Sequence, residues 1–277
     1  MIRPGAIGDC ILCFPALEYL AEGNDTEIWI PTPLVSLVPF AGRVRSLAST
    51  GLDLVGLSDT AISTALQDCL RSFDAIVSWY GSNRPEFRAA LTSMNPNCTF
   101  HTALPPSDWP GHAADYFLQQ VTAPLGAVSR IESCPDEFRG SAILHPFSGS
   151  ACKNWRLSSF HELAASVSQP IEWCAGPEER LPGATRFDNL RDLANWIAGA
   201  SIYIGNDSGI THLAAATGVR TVALFGPTSP KLWAPRGSNV TVLKAEPLET
   251  LSAAEVARTI HVLTDAFPLP QSPLSEP

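Results

Sequence analysis

The sequence predicts an α/β protein made of two Rossmann-like lobes, each a parallel sheet flanked by helices. Three observations carry the prediction. Short β-branched or aromatic runs alternate with segments of helical spacing. The stretches between successive strands are long enough for right-handed βαβ crossovers, which parallel strands require. Finally, 277 residues at 45% hydrophobic and 16% charged supply enough apolar surface for two ordinary cores.

In chain order, "EIWI" (27–30) and "DAIVSW" (74–79) are strands, bounded by turn residues. Between them the spacing of Ile62, Leu66, Cys69 and Leu70 predicts a helix over 59–73, with Asp59 or Thr60 as its cap. The proline-bearing stretch "LPPSDWPGH" (104–112) leads into a further helix, "AADYFLQQV". The second half is more regular. Strands are expected at 141–147, 171–176, 201–205 and 221–226, and helices at 158–167, 190–200 and 210–218. This places one lobe at 1–138 and the other at 139–251, joined near 135–141. A closing helix at 252–267 can pack back across the junction, and the proline-rich tail 268–277 is expected to fray.

Composition narrows the function classes. A net charge of −9 opposes binding to nucleic acid or to anionic membranes, since both need a basic face. No apolar run reaches the roughly 18 to 20 residues that cross a bilayer, and the start lacks a signal-peptide pattern, so a cytoplasmic protein is expected. Seven cysteines, at 10, 13, 69, 98, 134, 152 and 174, are an odd number that suits buried, reduced thiols. Cys10 and Cys13 form a CxxC inside an apolar helical stretch, where packing is the expected role. No second pair follows at zinc-ligand spacing, so no metal site and no cofactor are expected.

In open α/β sheets ligands bind beyond the carboxyl ends of strands, so the loops that follow strands carry the functional expectation. The first is "HPFSGSACKNW" (145–155), where Ser148, Gly149 and Ser150 offer hydroxyls and close backbone approach and Lys153 suits phosphate oxygens. The spacing does not make a Walker loop. The second, "GNDSGITHLAAATG" (205–218), enters a helix that Asp207 or Ser208 can cap, with Gly209 opening its first turn to an anion. There phosphate falls to Ser208, Gly209 and the backbone, a sugar hydroxyl falls to Asp207, and His212 can reach the same place. The third loop, "FGPTSPKLWAPRG" (225–237), is stiffened by three prolines. At the N-terminus, "GAIGD" (5–9) is not GxGxxG, which disfavours a nicotinamide-dependent oxidoreductase.

"RPGAIGDC", "HPFSGSACKNW" and "YIGNDSGITHLAAATGVRTVALFGPTSPKLWAPRG" together resemble glycosyltransferase family 9, the lipopolysaccharide heptosyltransferase family. Its members typically read RxGAIGD, HPGSG with KNW or KxW, and GNDSGxxHLAAAxGxPxVALFGPTxPxxWxPxG. The likeness runs through nearly all of the second lobe but holds in the first only at its opening turn. It implies a GT-B architecture, two Rossmann-like lobes facing a cleft, and an inverting, metal-independent glycosyltransferase. A nucleotide-sugar donor, ADP-heptose, would bind the second lobe, and a glycolipid or glycan acceptor of the lipopolysaccharide-core type the first, with at most peripheral membrane contact at the inner face of the cytoplasmic membrane. The resemblance makes Asp9 the general base and has Lys153, with Ser148 and Ser150, neutralise the departing diphosphate. It gives Asp207 the donor sugar and sets Glu178 or Glu179 near the ribose. Phe147 stands where the family has a glycine. Only Met1 and Ile2 precede Arg3, where the family has an apolar strand, so either the start lies too far downstream or the first lobe lacks most of an inner strand, which would leave that strand's neighbours unpaired. That expectation supports the alternative, a catalytically inactive nucleotide-sugar or carbohydrate-binding protein of the same fold.

Overall fold

The computed structural model describes residues 1–57, 62–135 and 137–265. They divide into two units, Met1–Ala127 and Val128–Pro277. Asp59, Thr60 and the tail beyond 265 lie outside the described residues. Among the described residues no helix is long and apolar enough to cross a membrane.

The first unit runs α1 (Ile7–Ala21), β1 (Glu27–Ile30), β2 (Arg43–Ser46), α2 (Thr64–Ser72), β3 (Ile76–Ser78), α3 (Pro85–Met94), β4 (Cys98–Phe100) and α4 (Ala113–Gln120). Helix α2 begins after Ser63, whose hydroxyl accepts from the Leu66 N–H at 3.2 Å, so the cap is Ser63. Strand β1 pairs in parallel with β2, and β3 with β4. Ile2 bridges Trp29 on one side and Ser78 on the other. The order is therefore β2, β1, the segment Met1–Arg3, β3, β4.

The neighbours of that short inner segment are paired after all. Trp29 N–H donates to Met1 O at 2.8 Å, and Arg3 N–H to Trp29 O at 2.9 Å. On the other side Ile2 N–H donates to Val77 O, and Trp79 N–H to Ile2 O, both at 2.9 Å. Three residues suffice because β1 and β3 are themselves only four and three residues long. The Ile2 side chain is buried with Trp29, Leu70, Ile76 and Phe87, where a fully buried isoleucine contributes about 2 kcal/mol.

The second unit carries β5 (Ala142–His145), α5 (Leu157–Ser166), β6 (Ile171–Trp173), α6 (Leu190–Ala198), β7 (Ile202–Asn206), α7 (Gly209–Thr217), β8 (Arg220–Phe225), α8 (Pro230–Trp233), β9 (Val240–Lys244) and α9 (Ala253–Asp265). All five strands are parallel, in the order β6-β5-β7-β8-β9. Strands β5 and β7 are buried along their whole length, as a sheet covered by helices on both faces demands. Ile202, Ile204, Val222 and Leu224 meet Phe160 and Leu163 of α5 and Val256 and Ile260 of α9 in one core. Trp155 joins it, its indole N–H donating to Leu251 O at 2.9 Å.

Candidate functional site

From β5 the second unit's chain moves outward to β6, then crosses back over β5 to β7. The strand order reverses there, and the loops leaving β5 and β7 diverge beside each other at the carboxyl ends of adjacent strands. Such a switch point opens the crevice in which α/β sheets hold ligands. Both loops are the small, polar ones singled out in the sequence.

Asn206 ties them together. Fully buried at the end of β7, it donates from Nδ2 to Pro146 O at 2.8 Å and accepts at Oδ1 from Trp155 N–H at 3.0 Å. It thereby grips the 145–155 loop at both ends. Sequence reasoning passed over Asn206, although its place between a buried strand and a helix start is the signal of such a polar tie.

With the loops fixed, Lys153 reaches across to Asp207, Nζ to Oδ2 at 2.8 Å. The Asp207 side chain is 6% exposed and that of Lys153 34%, so the carboxylate is seated in the protein while the lysine side chain remains in part open to solvent. Ser208 caps α7, its hydroxyl accepting from Thr211 N–H at 3.3 Å. The half-exposed Gly209 and Ile210 begin the helix, at the end where its dipole favours an anion. His212 is buried one turn further on. Ser148 Oγ lies 2.8 Å from Ser150 O and 2.7 Å from Asn154 Oδ1, holding the loop in a tight arch. A side chain at Gly149 would meet nothing within 4 Å, leaving its backbone open to a ligand.

The two candidate glutamates separate. Glu178 is exposed. Glu179 turns inward, Oε2 accepting from Gly176 N–H at 2.5 Å and facing His145 Nε2 at 3.5 Å. Partial burial pushes the Glu179 carboxyl up, but the hydrogen bonds from His145 and Gly176 and the Arg186 guanidinium outweigh it and hold it below the usual range. His145 was not anticipated either. It ends β5, is 3% exposed, and its Nδ1 is buried without a hydrogen-bond partner.

Asp9 belongs to the first unit, in the first turn of α1. Gly5 turns the chain into that helix at a φ of +125°, and a Cβ there would lie 3.4 Å from the Asp9 Cβ. Only glycine enters such a turn without strain. Gly8 lies within α1. Arg3 donates from Nη2 to the Asp9 carbonyl at 2.9 Å, fixing the residue from below. The CxxC is packing. Cys10 and Cys13 are buried, and burial pushes their thiols up to about 12 and about 11.

Comparison with known proteins places the second unit. Residues 137–260 match the model of glycosyltransferase family 9 (heptosyltransferase). The lipooligosaccharide heptosyltransferase 2 of Haemophilus influenzae is 38% identical over 56 residues, 20% of this chain and 16% of that protein. Lipopolysaccharide heptosyltransferase 1 of Pseudomonas aeruginosa is 29% identical over 177 residues, 54% of this chain and 48% of that protein. The matched segments thus span less than half of either relative. The structure of the E. coli heptosyltransferase WaaC with ADP superposes with a TM-score of 0.68 at 17% identity, covering 95% of this chain and 98% of that one. The fold is GT-B, as in these heptosyltransferases.

Proposed function

We propose that the chain is a member of glycosyltransferase family 9, whose model its residues 137–260 match, and that it is an inverting, metal-independent glycosyltransferase that moves heptose from ADP-heptose onto a lipopolysaccharide-core-type or related glycan. The observation that carries the proposal is the convergence at the β5/β7 switch point: a lysine held 2.8 Å from a buried aspartate, beside the capped start of α7. A basic group and free helix N–H groups at one crevice are what a departing diphosphate needs. The ADP bound by the E. coli relative supports the choice of nucleotide.

In this mechanism Asp9 accepts the proton of the acceptor hydroxyl as that oxygen attacks the anomeric carbon. The new carbon–oxygen bond forms as the bond to the phosphate oxygen breaks on the opposite face, which inverts the centre. The electron pair leaves with the diphosphate. Lys153, the Ser148–Ser150 arch and the first turn of α7 at Ser208 and Gly209 meet that charge. Asp207 orients the donor sugar, with His212 nearby. Of the two glutamates Glu179 is favoured for the ribose, because Gly176 and His145 already aim it at the end of β6. A glycolipid acceptor would bring the protein to the cytoplasmic face of the membrane by peripheral contact.

Asp9→Asn tests the division of labour. General-base catalysis typically contributes 10²- to 10⁴-fold. Transfer should fall by about that factor while the calorimetric affinity for ADP-heptose stays within about twofold. A collapse of donor affinity would remove Asp9 from the acceptor side.

A further inference from the structure

We infer that Asp207 makes the site discriminate between the sugar-bearing nucleotide and the spent nucleoside diphosphate, favouring release of the latter. The inference rests on the donor-site reading above and adds a specificity role to the same carboxylate.

Asp207 is the immobile member of its pair. Its main-chain N–H donates to Leu224 O at 3.0 Å, anchoring it to β8, and its side chain is 6% exposed. Its Oδ2 is sealed from solvent and touches Lys153 Nζ at 2.8 Å. Lys153 ends the short 3₁₀ turn Ala151–Lys153 on an open loop, and its ammonium has three hydrogens to share. An arriving phosphate can therefore share Lys153 but cannot displace Asp207. It meets a nearly neutral Lys–Asp pair and not a bare cation. The remaining attraction is the partial charge at the start of α7, equivalent to roughly half a unit.

Such a site suits a weakly charged ligand. In a sugar diphosphate both phosphates are diesters with one negative charge apiece. Once the sugar has left, the terminal phosphate becomes a monoester with a second pKa of about 6, and takes up most of a further charge at neutral pH. The added charge appears where the sugar had been, on the side of Asp207. A sugar hydroxyl can donate to that carboxylate, whereas a phosphate oxygen can only repel it. Transfer itself thus converts a favourable contact into an unfavourable one. A single added charge at a partly exposed site is worth on the order of tenfold in affinity.

The β-methyl ester of ADP separates this charge effect from recognition of the sugar, because it lacks both the extra charge and the sugar hydroxyls. Titration calorimetry with the wild-type full chain should find the ester bound about tenfold more tightly than ADP, and in Asp207→Asn the gap should close. ADP binding as tightly as the ester, or a gap that Asp207→Asn leaves unchanged, would overturn the inference while leaving the donor site intact. If the wild-type chain bound neither ADP nor ADP-heptose, the donor-site reading would fall and this inference with it. The wild-type comparison stands even if the variant does not fold.

Discussion

Arg3 sits fully buried under the N-terminal turn, donating from Nη1 to Ala103 O at 2.8 Å and from Nη2 to Asp9 O at 2.9 Å, with its guanidinium 4.5 Å from the centre of the Phe117 ring. Taking a guanidinium out of water is costly, and these contacts offset the cost while joining α1, α4 and the loop after β4. A lysine could not span both carbonyls with the same planar fork. Arg3→Met removes two charge-assisted hydrogen bonds to part-buried carbonyls, each worth about 1.5 to 3 kcal/mol, so urea unfolding should show a loss of about 3 kcal/mol. A loss under about 1 kcal/mol would mean that the turn is held by other means. Of the single residues that the sequence singled out, the structure brings Lys153, Asp207 and Ser208 together at the crevice proposed for the donor. Glu178 and Glu179 were not separable, because adjacent loop residues have no periodicity to tell inward from outward. Asn206 and His145 were missed because their work is to hold other groups, which residue type alone does not announce.

Among the elements, α7 connects fold to function, since its first turn supplies the N–H groups proposed to meet the diphosphate. Ser208 satisfies one of the helix's otherwise unpaired donors at Thr211. Ser208→Ala should cost about 1 kcal/mol in thermal or chemical unfolding and weaken ADP binding. An unchanged midpoint would show that the cap contributes nothing. Sequence reasoning found the covered strands, with β7 buried throughout and β8 at every residue but its first, and one edge strand, the part-buried β6. It left out β2, β4 and β9, which lie at sheet edges and are buried only in part. An edge strand needs no continuous apolar run, so "RVRS", "CTF" and "VTVLK" carry weak signals. The inner segment Met1–Arg3 was illegible for another reason. Three residues cannot display a period, and their ladder is set by Trp29, Val77 and Trp79 far along the chain.

At the scale of the whole molecule, alternation of strand and helix was enough to predict parallel sheets, and the order β6-β5-β7-β8-β9 adds what no local pattern holds, the place where direction reverses. That reversal sets a small polar loop and a helix start side by side, though 52 residues of chain (154–205) separate Lys153 from Asn206. The proposal that this crevice is the donor site of a working transferase can be tested on the reaction itself. The most direct measurement is a product assay with the full chain, ADP-heptose and a heptose-accepting core glycolipid, following released ADP and transferred sugar together in wild type and Lys153→Met. Removing one group that stabilises developing charge typically costs 10²- to 10³-fold. Release and transfer should match in wild type and fall together by about 10²-fold or more in Lys153→Met. Binding of ADP-heptose without turnover, or full activity in Lys153→Met, would contradict the proposal.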